Sequence, residues 1–239
     1  MKHECVLLLA ALIVPAACAP VESDVEPDGI DTGSAQRPVG GSPDSAGYRA
    51  GGNEPFWTLT FGETTMDFAD MGSTTTASAD RPDAESLANG WRFTASADGR
   101  PFVVEIQVSR CNDSMSGRPF PHSVTVTVHG RTWTGCGGDT ASLLTGQEWS
   151  VTHLEGVATS SQRQPTLSFA AAGALTGDGG CNQYRATYEI TGEGIDIGPA
   201  LATRRACAEP ELNRQETQFF QLLEQVTRFD IAGDGSLEL

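Results

Sequence analysis

The stretch SVTVTVHGRTWTGCGG, from Ser123 to Gly138, decides the fold. Val124, Val126 and Val128 alternate with hydroxyl side chains, which puts an apolar set on one face of a strand. His129-Gly130 then supplies the residue pair of a tight hairpin, and Arg131 to Thr134 begins the returning strand. Upstream, Phe102, Val104, Ile106 and Val108 repeat the alternation, as do Trp91, Phe93 and Ala95, with Asp98-Gly99 as the turn between them. Further back Trp57, Leu59 and Phe61 alternate with Phe56, Thr58 and Thr60, so Phe56 and Trp57 supply one core and one rim aromatic. The pattern predicts five or six short strands over residues 48–138, an antiparallel meander closed into a small barrel or sandwich. CNDSMSGRPFPHS, residues 111–123, reads as a turn-rich loop inside it.

Composition agrees with a β-rich chain. Among 239 residues there are 27 Gly and 13 Pro, many of them between short Thr- and Val-rich runs. The formal charge is −16, which argues against a nucleic-acid partner, because phosphate recognition needs clustered Lys and Arg. Lys2 is the only lysine, so Walker-type, Schiff-base and polybasic-anchor chemistry is excluded.

The chain opens MKHECVLLLAALIVPAACAP. A short, weakly basic start, an apolar run from Val6 to Val14 and small residues ending at Cys18 make an export signal over residues 1–17, too short for a mature bilayer span. PAAC resembles the bacterial lipoprotein cleavage box, which implies lipid on Cys18 as the membrane contact. Ala19 after it resembles the pattern sent to the outer membrane, facing the periplasm; ordinary cleavage nearby would leave a soluble periplasmic protein. Residues 18–47 are rich in Pro, Gly, Ser and Asp, with too little apolar surface to offset chain entropy, and read as a disordered tether. Asp24, Glu26, Asp28 and Gly29 imitate the start of a calcium loop, but its twelfth position is Ala35.

Four cysteines remain beyond the leader and the lipid site: Cys111, Cys136, Cys181 and Cys207. In an exported chain these read as two disulfides with three possible connectivities. The local one, Cys111 with Cys136 and Cys181 with Cys207, keeps each pair inside one candidate domain. Neither pair has CxxC spacing, which argues against thioredoxin-like chemistry, and short-spaced zinc ligands are missing.

From Cys111 to Cys136 the chain also carries Asp113, Ser114, Arg118, Phe120, His122 and His129. Nucleophile and base types are present, but there is no GxSxG elbow and no spacing that orients a histidine toward Ser114. Arg118, Phe120 and His122 are therefore read as a binding loop held by the disulfide, and the chain as a non-enzyme without cofactor or metal.

DTASLLTGQ reads as a linker to a second segment, residues 146–239. There strands lead to a Gly-rich turn with Gly177, Gly179 and Gly180, then to more strands, one helix and two short strands. Pro210 suits the helix's first turn, and Leu212, Phe219, Phe220, Leu223 and Val226 share a face at 3.6-residue spacing. Asp178 can bond its own turn, Asn182 can bracket loop backbone, and one of Tyr184 and Tyr188 can be buried with its hydroxyl paired. Arg204 and Arg205 read as edge charges.

Trp149, Leu167-Ser168-Phe169, GCNQY at Gly180–Tyr184, Tyr188, TRRAC at Thr203–Cys207 and the terminal helix occur together and in order. This segment resembles the META/HslJ family, whose motif falls here on Trp149, Asn182, Tyr184 and Thr203. The resemblance implies an antiparallel sheet with one packed helix, so the whole chain is mainly β with one helix (α+β). It also implies the cell envelope, and a part in homeostasis or in stress and drug tolerance through binding or structural support. GNEPFW at Gly52–Trp57, CNDSMSGRPFPHSV and GCGG resemble an uncharacterised envelope-lipoprotein domain that brings no activity. An alternative function is an inhibitor or sensor docking a basic envelope protein, such as a lysozyme-like enzyme, steered by the acidic surface.

Overall fold

Alternation along the valine-rich strand becomes burial in the structure: Val124, Val126 and Val128 are at most 2% exposed, while Thr125 and Thr127 between them are half-buried. The computed structural model describes residue 43 and residues 46–239. The export signal over 1–17, the lipid site Cys18 and almost all of the tether over 18–47 lie outside the described residues.

The first half runs β1 (Arg49–Asn53), β2 (Phe56–Phe61), β3 (Thr65–Asp70), β4 (Thr76–Asp80), β5 (Glu85–Leu87), β6 (Gly90–Ala97), β7 (Arg100–Asn112), β8 (Pro119–Val128) and β9 (Arg131–Gly137). All nine form one antiparallel sheet in the order β4-β3-β2-β1-β9-β8-β7-β6-β5. Two meanders thus meet where β1 pairs with β9. The sheet curls until β4 packs against β6, a half-barrel whose concave face holds Trp57, Phe61, Phe93, Phe102 and Ile106.

Nine strands stand where five or six were expected. β1 escaped the alternation because its sequence is RAGGN. Its glycines serve close approach: a Cβ on the facing Gly135 would overlap the Gly51 carbonyl. β3 and β4 were hidden because Asp70 and the small Ala77 and Ala79 take positions where an apolar signal would be large. Both expected two-residue turns are present, with positive φ at Asp98 and Gly99 and at His129 and Gly130, as the twist of a tight hairpin requires.

The expected loop over 111–123 needs correction. β7 continues past a bulge between Val108 and Cys111 as far as Asn112, and β8 starts at Pro119, so only residues 113–118 lie outside strands. Phe120 and His122 are strand residues, not loop residues.

The stretch read as a linker is also ordered. A 3-10 helix over Thr140–Leu143 is capped by Asp139, whose carboxylate accepts from Ala141 N at 3.0 Å. Leu144 after it is fully buried in the second core.

The second half runs β10 (Glu148–Ser150), β11 (His153–Leu154), β12 (Val157–Ala158), β13 (Thr166–Ala170), β14 (Ala174–Asp178), β15 (Gln183–Ile190), β16 (Ile195–Ile197), β17 (Leu201–Ala202), α1 (Pro210–Leu223), β18 (Asp230–Ile231) and β19 (Leu237–Glu238). The sheet order is β10-β13-β14-β15-β16, with β17 also on β15. Helix α1 lays Phe219 and Leu223 on this sheet against Tyr184, and Val226 follows just after its end. Pro210 fits the first turn because a first-turn N–H has no partner in the helix to lose.

Candidate functional site

Three features concentrate polar groups or open space. The first is the segment between β7 and β8. Cys111 and Cys136 form a disulfide with Cα atoms 5.4 Å apart, which fixes this segment to β9. Asp113 closes the turn by accepting from Ser116 N at 2.8 Å, Met115 N at 3.1 Å and Asn53 Nδ2 at 2.7 Å. Partial burial works against its charge, but the bonds from Ser116, Asn53 and Met115 outweigh that and hold its carboxyl below the usual range.

The three residues read as a binding loop have separate jobs. Arg118 lies over the Phe120 ring at 4.6 Å and donates from Nη1 to the carbonyl of Thr191 at 2.6 Å, in the turn after β15. It clamps the first half to the second. Asn112 Nδ2 adds a 3.2 Å bond to Asp230 Oδ2 beside it. His122 is fully buried, sharing a 3.3 Å hydrogen bond with the Tyr48 hydroxyl and facing the edge of Trp91. Burial lowers its imidazole to about 4.

The second feature is a buried knot at the glycine-rich turn. Glu216 of α1 sits in the middle of the apolar face and accepts from Asn182 N at 2.7 Å, Cys181 N at 3.1 Å and Asn182 Nδ2 at 2.7 Å. Asn182 Oδ1 accepts from Arg205 N at 2.7 Å and from the Thr203 hydroxyl at 2.8 Å. Cys181 and Cys207 are joined alongside, with Cα atoms 5.6 Å apart. Their sulfurs and the Glu216 carboxylate lie within 4.8 Å of one another, but the sulfurs are spent on each other and offer no thiolate to a metal. A Cβ on Gly179 would come within 2.8 Å of Glu216, so this turn must stay glycine for the carboxylate to reach the backbone.

The third feature is a groove of about 800 Å³ between β10, the end of α1 and the hairpin of β18 with β19. Trp149, Val151, Leu154, Leu222, Val226 and Leu237 give it an apolar wall. Trp149 is anchored by its indole N–H, which donates to the Leu144 carbonyl at 2.9 Å. Arg228 and Glu238 stand at one end, and both also line a smaller cleft of about 270 Å³ against Ser116 and Gly117 of the first half.

Residues 142–239 match the family model described as the META domain. The C-terminal part of the chain is a META domain. No curated protein and no solved structure matches the chain.

Within the META domain Asn182 and Thr203 of the four motif residues belong to the knot, Trp149 to the groove, and Tyr184 to the core. Asn182 and Thr203 tie the turn to the segment after β17. Tyr184 and Tyr188 are both buried, each donating to a β13 carbonyl at 2.8 Å, Thr166 and Ala170 respectively. Burial raises both phenols above their ordinary value. Trp149 opens the groove. Glu216 was missed from the sequence, although a carboxylate four residues after Leu212 and three before Phe219 on an apolar stripe is the signal that marks it. The groove had no comparable signal, since it joins segments about 80 residues apart. Among the described residues no helix is long and apolar enough to cross a membrane. The two disulfides fit an oxidising, extracytoplasmic compartment.

Proposed function

We propose that this chain is a lipid-anchored protein of the bacterial cell envelope whose META domain acts by binding and not by catalysis, in homeostasis or in tolerance of stress or drugs. The observation that carries this reading is the apolar groove, which has the volume and wall chemistry of a ligand site on a disulfide-stapled module. The burial of His122, the one histidine in the 111–123 segment, supports a non-catalytic role. The PAAC box supports the anchor. Metabolic labelling with a palmitate analogue, comparing wild type with Cys18→Ser, tests it. Label and outer-membrane fractionation that vanish together in the variant agree with the proposal; label retained in Cys18→Ser, or none in wild type, rejects the anchor.

A second reading, docking of a basic envelope protein, is favoured by the smaller cleft, whose lining holds Glu193, Asp230 and Glu238 against the single cation Arg228. Pull-down at low and high salt should recover a basic partner that is lost as screening rises.

A further inference from the structure

We propose that the META-domain groove receives an extended polypeptide segment, added as a strand to the free edge of β10, with apolar side chains over the groove wall and Lys or Arg at its acidic end. This rests on the second reading above and supplies the contact that such docking would use.

Among the described residues β10 is the last strand of its sheet and pairs only with β13, in the register Trp149 with Leu167 and Ser150 with Thr166. Val151 N donates to the Pro165 carbonyl at 2.8 Å, which sets the phase of the ladder. In an antiparallel pair the bonded positions alternate, so Trp149 spends its backbone groups on β13 and Val151 its N–H on Pro165, while the Val151 carbonyl accepts from the Thr159 hydroxyl at 2.7 Å. Ser150 turns its N–H and C=O to the open side, at the lip of the groove. A free edge beside an apolar trough is the geometry of strand addition, in which main-chain bonds give affinity and alternate side chains enter the pocket.

Charge selects the occupant. Glu155 and Glu238 line the groove, and Glu193 and Asp230 stand in the cleft continuous with it. Arg228 is the one arginine along this path, with His153 the other ionisable base. In a chain of formal charge −16 this end repels an acidic segment and attracts a basic one. An acyl chain would fill the trough but would leave the Ser150 edge unused.

The test is to pan a random dodecapeptide library, displayed on phage, against the disulfide-intact full chain. The expected result is enrichment of peptides that alternate apolar residues with Lys or Arg. Ser150→Pro should weaken them at least tenfold, because it deletes the outward N–H while sparing the bonds to β13. Glu155→Lys with Glu238→Lys, both exposed, should do the same, and so should N-methylation of alternate peptide amides, which keeps the test open if the proline variant fails to fold. No enrichment, enrichment of acidic or non-alternating peptides, or affinity unmoved by N-methylation and by the lysine pair would overturn the proposal. If peptides bind as described but salt-dependent pull-down yields no basic partner, the docking function falls and the groove assignment stands.

Discussion

His122 and Glu216 show two ways of placing an ionisable side chain in an apolar interior. His122 is kept neutral by burial, with its folded value lowered to about 4 from an unfolded value near 6.5. Its contribution to stability is therefore complete above pH 6.5 and lost as pH falls toward 4, because the unfolded chain takes up the proton first. Over that window unfolding by urea should show a loss of about 3 kcal/mol that His122→Leu does not show. Glu216 instead meets three N–H donors. Glu216→Gln turns one acceptor into a donor facing a donor and should cost about 1–3 kcal/mol in the same measurement. At this scale Asn182 and Tyr184 were legible because small polar and aromatic residues beside a Gly-Cys turn have few other uses. His122 was misread because prolines at 119 and 121 imitate a loop, although both are buried and β8 runs through them.

Among elements, α1 was the most legible, since its apolar positions recur at one spacing and Pro210 marks its start. Phe219 is 3% exposed, with its ring centroid 5.6 Å from that of Tyr184. Phe219→Ala should lower unfolding stability by about 3–5 kcal/mol through lost burial and the cavity left behind. The hairpins at Asp98-Gly99 and His129-Gly130 were legible for a different reason, as few residue pairs accept positive φ twice in succession. β1 and β4 were not, because glycine and alanine carry almost no hydrophobic signal. The local disulfide pairing appears in the structure; it rested on sequence distance, and strand register brings Cys111 and Cys136 together by way of the bulge in β7. Replacing Cys181 and Cys207 by serine should cost about 3 kcal/mol by the loop-entropy argument, read from the urea midpoint under non-reducing conditions.

At the scale of the whole molecule, two sheets with separate cores are joined by Arg118, the Asn112–Asp230 bond and the ordered stretch through Leu144. This junction could not be read from sequence, since Arg118 and Thr191 stand 73 positions apart and the acceptor is a backbone carbonyl. Arg118→Ala should separate one calorimetric unfolding transition into two, with the first half's own midpoint little changed. The sheet order carries one more consequence. The described chain enters its first sheet at β1, which lies in the middle, bonded to β2 on one side and β9 on the other. A load applied along the axis of β1 is therefore resisted in shear by two ladders at once, and behind them by the covalent bridge on β9. Such a strand does not peel away one bond at a time, so the half-barrel is built to stay folded while its leading end is pulled.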